Sequence, residues 1–189
     1  MEPKEVILIT GSNGLIAKQL TKLLSSSYEV RLLSRKPSKP NVYEWNIQTQ
    51  YIDENALKNV THIIHLAGAG IADNKWTDSR KKEIISSRVA ATKLLLDSCM
   101  KQNIRLQAFI SASAIGFYGQ TNSDTIFTET HKPGNDFVSD ICIAWENAAD
   151  EFEQYAIAER VVKLRTGIVM SKDGGALPKM LLPLHFYTA

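Results

Sequence analysis

Short β-branched runs alternate with longer stretches of helical periodicity along this chain, and that alternation restricts its fold more than any other feature. Residues 6–9 (Val-Ile-Leu-Ile), 30–33, 42–45, 62–67, 106–111 and 161–164 read as strands. Residues 15–27, 78–102 and 137–156 read as helices, with a small one near 54–58. A strand followed by a connection long enough to hold a helix pairs in parallel with the next, through a right-handed crossover. A doubly wound α/β fold around a parallel sheet is therefore expected.

The chain has 189 residues, 44% of them hydrophobic, enough for one domain with its own core or one domain plus part of a second. Lys and Arg number 22 against 20 Asp and Glu, a net charge of +2. That balance argues against a protein held to nucleic acid by phosphate contacts, or to a membrane by a polybasic patch. Cys99 and Cys142 lie far apart with no ligand spacing, so neither a disulfide framework nor a metal centre is expected, and a reducing, cytoplasmic compartment is. His62 and His65, three apart on a strand, point to opposite faces and share no metal. The apolar run at residues 6–9 is too short for a secretory core or a membrane span.

Thr10-Gly11-Ser12-Asn13-Gly14-Leu15-Ile16-Ala17 fills the turn between the first strand and the first helix. Gly11 lets the backbone turn tightly, Gly14 omits a Cβ where a pyrophosphate approaches the helix, and Ala17 lets the helix lie close on the strand. Ala17-Lys18-Gln19 does not supply the Gly-Lys-Ser/Thr of a Walker loop. Gly11, Ser12, Asn13, Gly14, Leu15 and Ile16 are thus candidate dinucleotide ligands, with a tight turn that binds nothing as the alternative. An unphosphorylated adenosine ribose calls for a carboxylate at the end of the second strand. Here the chain reads Leu33-Ser34-Arg35-Lys36, so Ser34, Arg35 and Lys36 point to a 2′-phosphate and to NADP(H). A solvated basic loop is the other reading.

Taken with His65-Leu66-Ala67-Gly68, Ser111-Ala112-Ser113 and Phe117-Tyr118-Gly119, the turn resembles the extended short-chain dehydrogenase/reductase superfamily. Ala67-Gly68-Ala69-Gly70-Ile71 with Lys75-Trp76-Thr77, Ser87-Arg88, Trp145-Glu146 and Leu164-Arg165-Thr166-Gly167 narrow the likeness. They point to an atypical branch that is NAD-dependent epimerase/dehydratase-like. Some of its members carry the label nucleoside-diphosphate-sugar epimerase, others cell-division inhibitor.

The resemblance implies a Rossmann cofactor domain over residues 1–170 and, over 171–189, the start of a substrate lobe that is otherwise largely absent. It adds Leu66, Ala67 and Gly68 to the cofactor ligands and gives Ser113 the catalytic serine position. The superfamily's Tyr-x-x-x-Lys pair falls on Val138 and Cys142, counting back from Glu146. Neither side chain does that pair's chemistry. Tyr118 is the substitute acid or base nearest Ser113, with Asp136 and Asp140 behind it; covering the cofactor and complementing a helix dipole are their plainer roles.

Two functions follow, while a third, a flavin- or nucleotide-binding module, would leave the basic pair Arg35-Lys36 without a partner. One is an NADP(H)-dependent oxidoreductase or nucleotide-sugar epimerase-like protein acting on a small molecule, with Lys75, Trp76 and Arg88 shaping the pocket and Arg165 steadying a strand end. The other is a non-catalytic NADP(H)-binding redox sensor or regulatory protein. Phe137, Ile141, Trp145, Ala148, Phe152 and Tyr155 recur at helical spacing. That stripe faces either the subunit interior or a second copy, in a homodimer paired through the two long helices.

Overall fold

The Val-Ile-Leu-Ile run becomes the first strand, β1 (Val6–Ile9), with every residue buried. Its side chains alternate between two cores, as a pleated strand requires. Val6 and Leu8 join one cluster with Ile63, Leu95, Phe109 and Phe152, while Ile7 and Ile9 join a smaller one with Ala17 and Val30. A computed structural model describes residues 4–122 and 124–181.

After β1 come α1 (Leu15–Leu24), β2 (Glu29–Ser34), β3 (Val42–Asn46), β4 (Tyr51–Ile52) and β5 (Val60–His65). Then follow α2 (Asp78–Lys101), β6 (Ala108–Ala114), α3 (Phe137–Gln154) and β7 (Val161–Thr166). A hairpin of β8 (Met170–Ser171) and β9 (Gly174–Gly175) leads into α4 (Leu177–Leu181). The sheet order is β4-β3-β2-β1-β5-β6-β7, parallel throughout except for β4, which runs antiparallel to β3 at the edge. Strand order reverses direction between β1 and β5, and the crevice beyond their carboxyl ends is where such sheets take ligands. The doubly wound α/β expectation holds.

Several boundaries moved. The strand expected at 62–67 begins and ends two residues earlier, which frees residues 66–68 to turn across the end of β1. The strand expected at 106–111 continues to Ala114, so Ser113 lies within it, and a single 3-10 turn (Ile115–Tyr118) follows. The first helix stops at Leu24 rather than residue 27; Ser25 Oγ donates back to the Thr21 carbonyl at 2.6 Å and Ser26 Oγ to that of Leu23 at 3.3 Å. The helix expected at 54–58 is one 3-10 turn (Glu54–Ala56), capped by Asp53.

Helix α3 buries Ile141, Trp145, Ala148 and Phe152 inside the subunit, with Phe152 stacked on Phe109 at 3.7 Å between ring centres. On β7 the charged residues face this helix: Lys163 pairs with Asp150 at 2.6 Å and Arg165 with Glu146 at 2.8 Å. Among the described residues no helix is long and apolar enough to cross a membrane.

Candidate functional site

Thr10, the residue just after β1, ties the first candidate ligands together. Its Oγ1 accepts hydrogen bonds from the backbone N–H of Leu66 and of Ala67, both at 3.0 Å. Its own proton is then left for His65 Nδ1, 2.9 Å away, which makes Nε2 the protonated nitrogen of the ring. His65 is wholly buried; desolvation, with the nearby Arg88 charge adding to it, takes its pKa down to about 3. These bonds draw residues 66–68 over the glycine turn. Gly11 adopts φ +72°, and a Cβ there would stand 3.2 Å from the backbone of Leu66 and Ala67.

The turn closes with a 2.8 Å bond from Gly14 N to the Gly11 carbonyl. Helix α1 begins with no side-chain cap and no acidic residue in its first turn. Its amide dipoles therefore converge on the crevice uncompensated, the arrangement that favours an anion. Ile9 pairs with Leu32, so the turns after β1 and β2 leave the sheet side by side. Ser34 is buried and closes its own turn, accepting from Lys36 N and donating to the Lys36 carbonyl, both at 3.1 Å. Arg35 and Lys36 stand exposed beyond it, in no ion pair among the described residues.

Ser113 and Tyr118 meet through two residues that link them. Ser113 Oγ donates to Glu146 Oε1 at 2.6 Å. Arg165 grips the same carboxylate twice, Nε to Oε1 and Nη2 to Oε2, both at 2.8 Å. The third arm of that guanidinium, Nη1, donates to Tyr118 Oη at 3.0 Å, and Tyr118 donates in turn to the Thr128 carbonyl at 3.0 Å. Burial works to raise the Glu146 pKa, yet the bonds from Arg165 and Ser113 outweigh it and hold the carboxyl below its ordinary range. Arg165 is held protonated by its bonds to Glu146 above all and to Tyr118, and lies 3.4 Å over the Phe117 ring.

Val138 packs its methyl group into the space beside Gly116 where a Cβ would otherwise sit. Cys142 is buried, its thiol pushed up by desolvation. Arg88, expected near a pocket, is buried instead: it donates to the carbonyls of Ala69 at 3.0 Å and Ile84 at 2.9 Å and lies 4.8 Å over the Trp145 ring. Gly68 makes room for it, since a Cβ there would reach Arg88 Cζ at 2.9 Å.

A pocket of about 300 Å³ opens where α3 begins, lined by Trp76, Gly116, Gly119, Gln120, Asp136, Phe137 and Val138. Asp136 caps α3: Oδ1 accepts from Ser139 N and Oδ2 from Gln120 N, both at 2.9 Å, and these bonds hold its carboxyl below the usual range. Asp140 is exposed in the first turn of α3, and Lys75 is exposed beside Trp76. Ser113 and Tyr118 do not line this pocket. The roles of Glu146 and Arg165 in the buried network were not read from the sequence, because Ser113, Glu146 and Arg165 lie on three separate elements. The Asp136 cap carries a local signal, an aspartate just ahead of an apolar helical repeat.

Relatives share this architecture. An epimerase family protein of Staphylococcus saprophyticus is 37% identical over 185 residues, covering 95% of this chain and 60% of its own. One from Mycobacterium bovis is 33% identical over 177 residues, covering 93% and 57%. The chain thus spans 57% to 60% of the length of these relatives. Among solved structures, the nucleoside-diphosphate sugar epimerase from Corynebacterium glutamicum matches with a TM-score of 0.79 and 34% identity, over 100% of this chain and 38% of that one. The human epimerase family protein SDR39U1, solved with NADPH, matches with a TM-score of 0.79 and 28% identity, over 96% and 60%. The likeness to extended short-chain dehydrogenase/reductases read from the sequence agrees with both. A family model matches residues 7–148, from the strand that carries the glycine turn to the helix that carries Glu146, and the chain belongs to the NAD dependent epimerase/dehydratase family.

Proposed function

We propose that the crevice beyond β1, β2 and β5 holds NADP(H), and that the chain forms the cofactor-binding part of an NADP(H)-dependent oxidoreductase or nucleotide-sugar epimerase-like protein. The observation that carries this reading is the exposed Arg35-Lys36 pair at the end of β2, where a carboxylate would serve NAD. The uncapped start of α1 and the Cβ-free approach at Gly11 suit a pyrophosphate. Support also comes from the human relative solved with NADPH.

Ser34, Arg35 and Lys36 would take the 2′-phosphate, and the N–H groups around Gly11, Ser12, Asn13, Gly14, Leu15 and Ile16 the pyrophosphate. Residues 66–68, held by Thr10, would close over the adenosine side. The nicotinamide, when bound, supplies or accepts a hydride. Ser113 commits its proton to Glu146. A reducing compartment such as the cytoplasm suits two buried free thiols, Cys99 and Cys142. A small-molecule substrate and a homodimer through α2 and α3 belong to the same proposal.

A second reading, a non-catalytic NADP(H) sensor, is favoured by a specific arrangement. By the sequence resemblance Val138 and Cys142 would hold the positions of the superfamily's acid–base pair, and the Tyr118 hydroxyl is already bonded on both sides. Titration with NADPH and NADH by nucleotide fluorescence tests both. Tight NADPH binding with turnover on a panel of sugar nucleotides and carbonyl compounds supports the enzyme. Binding without turnover supports the sensor, and no binding of either nucleotide overturns the cofactor assignment.

A further inference from the structure

The pocket at the start of α3 differs in chemistry from the cofactor crevice. Its walls are an indole, a phenyl ring, an isopropyl group and two glycines, with Gln120 and Asp136 as the polar side chains. Trp76 and Phe137 meet edge to face at 5.1 Å. The Trp76 N–H is spent on the Ile71 carbonyl at 2.8 Å, so the indole offers a visitor its π face and no donor. The lining holds one ionisable side chain, the Asp136 carboxylate, kept charged by its cap bonds to Ser139 and Gln120. Lys81 rests its ammonium 5.2 Å from the Phe137 ring centre, but it is not part of the lining.

An indole face and a phenyl ring attract a ring with an apolar side. A fixed carboxylate in a partly desolvated pocket repels a second anion and accepts O–H or N–H donors. We propose that this pocket binds the uncharged ring of a ligand, stacked on Trp76, and that Asp136 excludes rings bearing a carboxylate or phosphate. Calling that ligand the substrate rests on the cofactor reading above. The binding preference itself does not. Charged parts of a substrate, a diphosphate among them, would lie outside the pocket.

Benzamide and benzoate are matched probes, alike in ring and size and different in charge. Trp76 reports on them directly, since Trp45 and Trp145 are buried and Trp76 is 44% exposed. Quenching of its fluorescence should show benzamide binding about tenfold more tightly than benzoate. Asp136→Asn keeps a good helix cap while removing the charge, and should bring the two probes to within about threefold. Trp76→Leu should abolish the quench, and benzamide shifts in NMR spectra of that variant should be weakened about tenfold. Equal affinities in the unaltered protein, a preference that survives Asp136→Asn, or no quenching by either probe overturns the proposal. NADPH titration of the same sample separates the two readings, because the cofactor residues and the pocket lining share no side chain.

Discussion

The Arg165 guanidinium and the Glu146 carboxylate face each other in a two-point grip, both bonds 2.8 Å long, with side chains only 17% and 5% exposed. Such a fork fixes orientation as well as distance. It sets one end of β7 against the middle of α3 and leaves Glu146 free to accept the Ser113 proton. The remaining arm reaches Tyr118 and, at 3.2 Å, the Glu129 carbonyl, so one side chain anchors a strand, a helix and a loop.

Breaking this pair from one side should be costly. Arg165→Met leaves a buried carboxylate unpaired and is expected to destabilise the fold by about 3–5 kcal/mol. The double change Arg165→Met with Glu146→Leu should cost less than the single one, because no buried charge is stranded. Urea midpoints of the two variants decide it. A double variant less stable than Arg165→Met would show that the lone Glu146 carboxylate is not stranded, its bond from Ser113 sufficing to hold it.

Acid should weaken the fold before carboxylates titrate. Folded His65 keeps a pKa near 3 against 6.5 when unfolded, so between those values the unfolded chain binds a proton that the folded one refuses. Stability is then full above about pH 6.5 and falls as pH drops, by up to about 1.4 kcal/mol per pH unit. Urea unfolding at pH 7 and pH 5 measures the loss, and His65→Gln should reduce the difference. Glu146, also depressed, adds its own loss further down, as pH falls through its folded value.

Two glycines should respond oppositely to alanine. A Cβ on Gly134 would stand 2.6 Å from Gly119 Cα, 2.7 Å from Gly119 N and 2.8 Å from the Tyr118 carbonyl oxygen, all backbone atoms with little room to yield. Gly134→Ala is expected to cost about 1–3 kcal/mol. At Gly167 a Cβ would meet nothing within 4 Å, and alanine there should be neutral or stabilise by up to about 1 kcal/mol. Thermal melts followed by circular dichroism compare them.

Arg35→Ala tests the cofactor choice. Loss of a charged hydrogen-bond donor should weaken NADPH binding about 10- to 100-fold and leave NADH unchanged. Equal loss for both nucleotides would place Arg35 on a part of the cofactor that they share, and no loss for either would remove it from the site.

Much of the fold was legible because its causes are local. Apolar runs of strand length, helical repeats and crossover lengths suffice to order β1, β2, β5, β6 and β7 in parallel, and a glycine turn ahead of a helix is visible in eight consecutive residues. Strand β4 was not legible: two residues carry no periodicity, and only pairing with Trp45 and Asn46 makes them a strand. The ends of β5 and β6 depart from the side-chain pattern because hydrogen bonds to neighbours decide where pairing stops.

The site divides the same way. By itself the sequence marked out the candidate cradle, Gly11 to Ile16 with Ser34 to Lys36, since each stretch would act through backbone and charges contiguous in the chain. Only the tertiary structure decided what Ser113 and Tyr118 touch, because Glu146 lies 33 residues from Ser113 and Arg165 lies 47 from Tyr118. It also decided that Arg88 packs inward on Trp145, and that Trp76 and Phe137 share a pocket. Hydrogen-bond and ring partners so distant in sequence are chosen by how α2 and α3 settle on the sheet, and no local pattern encodes that packing.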